Sequence, residues 1–132
     1  MINLEIVTPE KKVVDEAVDS VRVPTSNGEI GLLQNHAPLI SALGPGILTY
    51  TKGGTNEQLV ISGGFVEVSS DKVSILADVA ETASDVDVDA AKAELGEAQK
   101  VLGEWKGTEE EFEIEIERLG RAQARLQLAG KN

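Results

Sequence analysis

The residues of this chain that could take part in catalysis are few and scattered. His36 is the only histidine and there is no cysteine, which excludes a histidine cluster or a thiolate site for a metal. Neither a Gly-x-Ser-x-Gly nor a Gly-x-x-x-x-Gly-Lys-Ser/Thr pattern occurs, so a serine nucleophile and a phosphate-binding loop have no support. We expect no catalytic residue and no metal site, and a hydrogen bond beside its own turn is a simpler role for His36.

A clearer chemical pattern lies near the C-terminal end, where charge is sorted along the chain. Residues 109–117 hold six glutamates and no basic residue. The residues that follow hold no acid and four bases, Arg118, Arg121, Arg125 and Lys131. Such sorting stabilises a helix through its dipole by about 0.3–1 kcal/mol per charge. The three arginines also share one helix face, which predicts a basic surface for an acidic partner. Both interpretations remain open.

Two helices are predicted to position this basic face, because apolar residues recur at spacings of three and four without any proline after Asp85. The first stripe is Val88, Ala91, Leu95, Ala98, Leu102 and Trp105, and the second is Phe112, Ile116, Leu119, Ala122, Leu126 and Ala129. Asp85 or Asp87 can cap the first helix, and Thr108 with Glu111 forms a capping box for the second. Gly130 suits the position just past a helix end. The pattern predicts an antiparallel helical hairpin.

The preceding residues, 1 to about 84, are predicted to form short strands separated by turns. Leu4 and Ile6 alternate with polar residues, and later runs are rich in valine and isoleucine, with glycine, proline and asparagine between them. This pattern favours an antiparallel sandwich or barrel. Paired Gly63 and Gly64 predict a bulge or a sharp corner. Residues 28–31, Gly-Glu-Ile-Gly, predict a tight turn that leads into a short strand.

Composition excludes several classes of protein. The net charge of −11 argues against a surface for nucleic acid, which requires basic residues. No run of about 18 apolar residues occurs, and the start has no basic and apolar leader, so neither a membrane span nor a signal peptide is predicted. We expect a soluble protein that meets a membrane only through a partner. Its 132 residues are predicted to divide into a sandwich, 1–84, and a hairpin, 85–132.

Several motifs, in order along essentially the whole chain, resemble the epsilon subunit of F-type ATP synthases. They are Gly-Glu-Ile-Gly at 28–31, Asn-His-Ala-Pro-Leu at 35–39, Ser-Gly-Gly-Phe-Val-Glu-Val at 62–68, Val-Ser-Ile-Leu-Ala-Asp at 73–78 and Arg-Ala-Gln-Ala-Arg-Leu at 121–126. The resemblance implies an α+β fold, in which an N-terminal antiparallel β-sandwich precedes a C-terminal antiparallel two-helix hairpin. The residue patterns predict the same arrangement.

The resemblance further implies a non-catalytic rotor subunit of a proton-translocating ATP synthase. The sandwich would couple the gamma subunit to the c-ring, with Glu29, Ile30 and His36 near those contacts. The hairpin would be mobile, and in an extended form Arg118, Arg121 and Arg125 would meet an acidic segment of beta, within the alpha and beta assembly, and obstruct ATP hydrolysis. Such a subunit would lie peripherally at the cytoplasmic face of a bacterial cell membrane, or at the stromal face of a plastid thylakoid.

Some members of this family bind ATP in the hairpin, and the present chain keeps only part of that site. The matching residues are Glu81, Asp87, Ala91, Arg121 and Arg125. Ala90 and Glu97 stand where two further arginines would be. Because charge-assisted hydrogen bonds carry such sites, the loss of two cations predicts weak or absent ATP binding, and no cofactor is expected.

Two other functions remain open from the sequence. One is a small-ligand-binding or hydrolytic β-sandwich protein with a structural helical appendage, although a free-standing sandwich enzyme would not need the hairpin. The other is a nucleotide sensor that acts through the hairpin, which an arginine at position 90 would have favoured. The sequence does not decide whether the hairpin rests in a compact or an extended form.

Overall fold

The computed structural model describes residues 1–130, and its strands precede its helices. The strands are β1 (Ile2–Val7), β2 (Lys12–Val18), β3 (Ser20–Thr25), β4 (Gly28–Leu32), β5 (Leu39–Ala42), β6 (Gly46–Lys52), β7 (Thr55–Ser69) and β8 (Lys72–Glu81). A 3-10 turn (Ala83–Asp85) then leads to the helices α1 (Val88–Gly103) and α2 (Glu109–Leu128). Within residues 1–130, neither helix is long and apolar enough to cross a membrane.

The strands pair in the order β2-β1-β8-β7-β6-β3-β4, and β5 pairs with β7 off this path. Every one of these ladders is antiparallel except that of β1 with β8, which is parallel. A parallel pair needs a long connection between its strands, and here the six intervening strands supply it. The predicted β-sandwich followed by two helices is confirmed, and the parallel ladder is a detail that strand patterns alone do not reveal.

Aliphatic side chains from alternate strand positions fill the sandwich. In β1, Ile2, Leu4 and Ile6 are fully buried, whereas Asn3 lies on the opposite, exposed face, as the two-residue period of a strand requires. Tyr50 is the aromatic member of this core. Its burial, followed by its hydrogen bond with Glu16, raises the pKa of Tyr50 to about 12.

The glycine pair lies inside a strand and marks a corner. Before the pair β7 pairs with β6, after it β7 pairs with β5, and along both parts it pairs with β8 in one constant register. Gly63 and Gly64 have φ of 73° and 92°, and a Cβ on Gly64 would collide with the carbonyl group of Leu76. The predicted corner is confirmed, and it lets one long strand change partners.

The tight turn predicted at residues 28–31 is placed wrongly. Those residues form most of β4, in which Gly28 pairs with Thr25 of β3, and the turn itself is Ser26 and Asn27. The Thr25 hydroxyl donates to the Gly28 carbonyl oxygen at 2.5 Å, and Gly28 takes the φ of 112° that closes the turn. Gly28 thus both completes the turn and begins strand β4.

The helical hairpin begins and ends where the capping rules predict. Asp87, not Asp85, caps α1 by accepting from the Ala90 N–H group at 3.0 Å. Asp85 instead accepts from Thr82 at the 3-10 turn, and these hydrogen bonds lower the pKa of Asp85. Thr108 caps α2 by accepting from the Glu111 N–H group at 3.2 Å. Gly130 follows with a φ of 75°.

The second apolar stripe is buried along only its C-terminal half. Ala122 and Leu126 are buried, together with Ala124, which the stripe omits. Phe112 and Ile116, predicted as core positions, are 37% and 45% exposed. The prediction is wrong there because only the later part of α2 lies over the sheet, as its polar contacts to Ser62 and Glu81 begin at residue 117.

Trp105 also lies outside the first helix, in the loop beyond Gly103. Its ring packs edge-on against Phe112, with the ring centroids 5.4 Å apart. This aromatic pair joins the loop to the start of α2, so it closes the hairpin tip away from the sandwich core.

Substitution of Gly64 by alanine should lower the free energy of unfolding by about 1–3 kcal/mol or more, because the added Cβ meets backbone atoms and the φ is unfavourable. The matched control is Gly31→Ala, where no atom lies within 4 Å of the added Cβ and a change within about 1 kcal/mol is expected. Urea unfolding followed by circular dichroism measures both. Equal stabilities of the two variants would contradict this assignment of the corner.

Candidate functional site

The three arginines of α2 lie between that helix, α1 and the sandwich, and each of them contacts a carboxylate. Their side chains are 19–26% exposed. Arg125 makes the link to the sandwich, donating from Nε and Nη2 to the two carboxylate oxygens of Glu81 in β8 at 2.6 and 3.1 Å. This paired geometry is the strongest form of an ion pair between side chains. Lys131, the fourth predicted base, lies outside the described residues.

Glu94 of α1 accepts hydrogen bonds from all three of these arginines. Its Oε1 accepts from Arg118 Nε and from Arg121 Nη2, each at 3.2 Å, and its Oε2 accepts from Arg125 Nη1 at 3.2 Å. We call Glu81, Glu94 and the three arginines the charged seam. The seam joins both helices to the last strand of the sandwich.

Arg118 lies at the outer end of the charged seam. Its Nη2 is 3.1 Å from Glu97, and its Nη1 is 3.5 Å from Glu115. These carboxylates, Glu97 above all, raise the pKa of the Arg118 guanidinium group. The Glu115 oxygen on this side is buried and has no hydrogen-bond partner among the described residues, so its ion pair with Arg118 is the interaction that compensates for its burial.

The residues expected from a nucleotide site are close together, but their polar groups are already in use. Glu81 holds Arg125, and Glu94 holds Arg121. Asp87 caps α1, and Ala91 is buried in the hairpin. An incoming phosphate would have to displace carboxylates that belong to the chain. In the charged seam, each of the three arginines is paired with a carboxylate of the chain, and none is left free to bind a phosphate.

The sequence analysis did not single out Glu94. Glu94 lies beside the first apolar stripe and is not part of it. By helical periodicity alone it is therefore indistinguishable from a solvated glutamate. The signal that could have found it is the antiparallel hairpin itself. Once the two helices are aligned, residues 94 and 97 face residues 118–125.

The predicted rotor-contact residues lie apart from the charged seam. Glu29 is exposed on β4, and Ile30 is half-buried and packs against the sandwich core. His36 lies in the segment after β4, where its Nδ1 is 2.7 Å from the Ala37 carbonyl oxygen. The neighbouring Asn35, with a φ of 62°, donates its N–H group to Asp71 at 3.3 Å. This segment is therefore anchored to the turn between β7 and β8.

A row of apolar side chains, three of them exposed and Val7 half-buried, crosses the outer face of the sheet, and the sequence analysis did not predict it. The register aligns Ala42 of β5 with Phe65 of β7, Phe65 with Leu76 of β8, and Leu76 with Val7 of β1. Phe65 and Leu76 are 57% and 50% exposed. We call these four residues the outer apolar row. Adjoining exposed apolar side chains are a common feature of protein contact sites.

Sequence and structural relatives place this geometry in a family. Residues 1–83 match the family described as ATP synthase, Delta/Epsilon chain, beta-sandwich domain. Over 130 residues the chain is 42% identical to an ATP synthase epsilon chain of Anaeromyxobacter sp. (strain K), covering 98% of both sequences. The chain belongs to the ATP synthase epsilon chain family. An epsilon chain of Herpetosiphon aurantiacus is 43% identical over 128 residues, covering 97% of this chain and 93% of that one.

Epsilon-chain membership also agrees with a solved structure. A chain of the Euglena gracilis mitochondrial ATP synthase, in an assembly of OSCP, F1 and c-ring, superposes with a TM-score of 0.79 at 27% identity. The match covers 97% of this chain and 80% of that chain. The resemblance drawn from the sequence motifs is confirmed: this is an epsilon subunit of the F-type ATP synthases, a component of a larger complex.

The occupied arginines predict that the isolated epsilon chain binds ATP weakly or not at all, with a dissociation constant above about 1 mM. Isothermal titration calorimetry with ATP measures this. The comparison variant carries Ala90→Arg and Glu97→Arg together, which adds two cations and removes one acid, and it should bind ATP more tightly. Micromolar affinity of the unmodified chain would contradict the prediction.

Proposed function

We propose that this chain is the non-catalytic rotor subunit of a proton-translocating ATP synthase, in which it couples rotation and restrains ATP hydrolysis. Residues 1–84 bind the gamma subunit and the c-ring, and residues 85–132 form the regulatory hairpin. The observation that carries the proposal is family membership over nearly the full length, with a structural neighbour from an assembly that contains F1 and a c-ring. This membership favours a rotor subunit over a free-standing sandwich enzyme.

The sandwich provides two kinds of surface for rotor contacts. The outer apolar row lies on a rigid sheet, and burial of each large apolar side chain contributes about 1.5–3 kcal/mol. Such a surface suits the gamma subunit, which must turn together with this chain without slipping. Glu29, Ile30 and His36 lie on β4 and the segment after it, a more polar surface that suits the exposed loops of a c-ring.

The hairpin provides the regulatory surface. Its buried side chains are mostly alanines, so little apolar area holds it to the sandwich, and a second arrangement at small cost in free energy is expected. In an extended arrangement Arg118, Arg121 and Arg125 leave Glu81 and Glu94 and bind an acidic segment of beta, within the alpha and beta assembly. That contact obstructs rotation in the direction of hydrolysis.

The location follows from these partners. The chain is held peripherally at the cytoplasmic face of a bacterial cell membrane through the c-ring, with the stromal face of a plastid thylakoid as the alternative. The bacterial relatives support the first of these.

Removal of the residues after 84 should leave ATP synthesis largely intact and increase ATP hydrolysis, because the sandwich keeps its core and its rotor surfaces. Replacement of Arg118, Arg121 and Arg125 by alanine should reproduce part of that increase, since each contact with an acidic, partly buried partner is worth about 1–3 kcal/mol.

The matched control for the triple arginine variant replaces three exposed bases of the first helix and its loop by alanine, namely Lys92, Lys100 and Lys106. ATPase rates of membranes carrying each chain measure the effect. Equal rates for all four chains would show that the hairpin is no brake.

Substitution of Glu29 by lysine together with His36→Ala should weaken coupling more than folding, because Glu29 is exposed, His36 is half-buried and neither belongs to the core. Proton pumping by membrane vesicles and the Tm of the isolated chain are the two measurements. Glu104→Lys, which makes the same change of charge in the hairpin loop, is the control and should leave pumping unchanged. Normal pumping by the double variant would count against the proposed c-ring contact.

A further inference from the structure

Few apolar contacts hold the hairpin on the sandwich. The fully buried side chains of α1 are Ala91 and Ala98, and those of α2 are two alanines and Leu126. The polar contacts that cross from α2 to the sheet are the ion pair of Arg125 with Glu81 and the hydrogen bond of Ser62 Oγ to Glu117 at 3.3 Å. Charged and polar contacts therefore act together with a small apolar contact to fix the compact arrangement.

Within the charged seam, Glu94 is the carboxylate that contacts all three arginines, and it is linked to the sandwich through Arg125, which Glu81 also holds. Among the described residues, Glu94 is the carboxylate that pairs with Arg121. Arg125 donates to Glu94 from Nη1, the guanidinium nitrogen that does not contact Glu81. Arg118 is also held by Glu94, although Glu97 and Glu115 remain for it. Without the Glu94 carboxylate, three guanidinium groups would crowd one helix face with too few acceptors.

We propose that Glu94 is a built-in anion that holds the hairpin in its compact form without any nucleotide. The proposal rests on the proposed function in one respect, the existence of an extended hairpin. A carboxylate of the chain occupies the position between the arginines that an anionic ligand would need, and it cannot diffuse away. The compact form then responds to ionic strength, because partly exposed ion pairs are screened by salt.

The same arginines serve both arrangements. While Glu94 and Glu81 hold them, Arg118, Arg121 and Arg125 are not available to an acidic partner. When the charged seam opens, the hairpin and its three cations are released together. Compact packing and binding to beta therefore exclude each other, and Glu94 competes directly with the acidic segment of the partner.

A steric contact gives an independent reference for the open hairpin. Gly120 of α2 lies against Pro45, and a Cβ at this glycine would be 2.7 Å from Pro45 Cγ. Gly120→Val should thus push α2 off the sandwich while it leaves every ionisable group of the charged seam in place. The Gly120→Val variant therefore serves as the reference for the distance between the sandwich and α2 in an open chain.

The test measures a distance between spin labels on the full chain. Since the chain has no cysteine, labels can be attached at Glu57→Cys on β7 and Gln123→Cys on α2, both exposed. The labelled chain is compared with the same chain carrying Glu94→Gln, Glu97→Gln or Gly120→Val, at low and high salt. Glu97→Gln is the matched control, because Glu97 lies one turn further along α1 and holds only Arg118.

The unmodified chain should give one short distance at low salt and a growing population of longer distances as salt is raised. Glu94→Gln should shift the ratio of compact to open chains roughly tenfold towards the open form, in line with the loss of charge-assisted hydrogen bonds, and should approach Gly120→Val. Glu97→Gln should stay close to the unmodified chain. Identical distances in the Glu94 and Glu97 variants, or no response to salt, would overturn the proposal.

ATPase rates of the assembled complexes separate this proposal from the proposed brake. Glu94→Gln should lower the rate of ATP hydrolysis, because it releases the hairpin towards beta. If the label distances shift and the rate does not, Glu94 still holds the compact form and the brake is refuted. If removal of the hairpin raises the rate while Glu94→Gln leaves the distances unchanged, the brake stands and the role of Glu94 is refuted.

Discussion

Three guanidinium groups cannot be taken out of water on one side of a helix unless carboxylates share the space with them. Glu94 and Glu81 supply that charge, and their positions fix how the two helices lie on the strands. The Glu94 carboxylate sets the alignment of α1 with α2, and the paired hydrogen bonds from Arg125 to Glu81 attach α2 to the last strand. The other contacts of the hairpin, mainly between small alanine side chains, are compatible with several alignments and do not by themselves select this one.

The two halves of the chain are stabilised by different forces, and this difference suits their proposed roles. The sandwich has a continuous aliphatic core, including Leu4, Leu48, Ile61 and Ile75, whose apolar burial is not screened by salt and needs no partner chain. The hairpin is held partly by ion pairs, which under the proposed function an acidic partner can replace. A rotor element must stay rigid while it transmits force, whereas a regulatory element must exchange contacts at little cost in free energy.

Features that depend on near neighbours in the sequence could be predicted. The caps at Asp87 and Thr108, the end of α2 before Gly130, the sandwich and the glycine corner all follow from local rules. The outer apolar row could not be predicted, because it depends on the register of Ala42, Phe65 and Leu76, which are far apart in the chain. The burial of Phe112 and Ile116 was predicted wrongly for a similar reason: helical periodicity identifies a face but does not tell how far the surface beneath it extends.

Glu94 shows why regulation can differ among chains that share one fold. An anion that belongs to the chain is always present at the same effective concentration, whereas a bound nucleotide follows the supply of the cell. With Ala90 and Glu97 in place of two arginines of the resembled nucleotide site, and a carboxylate at position 94, we expect the compact hairpin to respond little to nucleotide. Under the proposed function, the balance between the compact and the extended form is then set by competition for three arginines. Two carboxylates of the same chain compete with the acidic segment of a partner, and ionic strength screens both interactions.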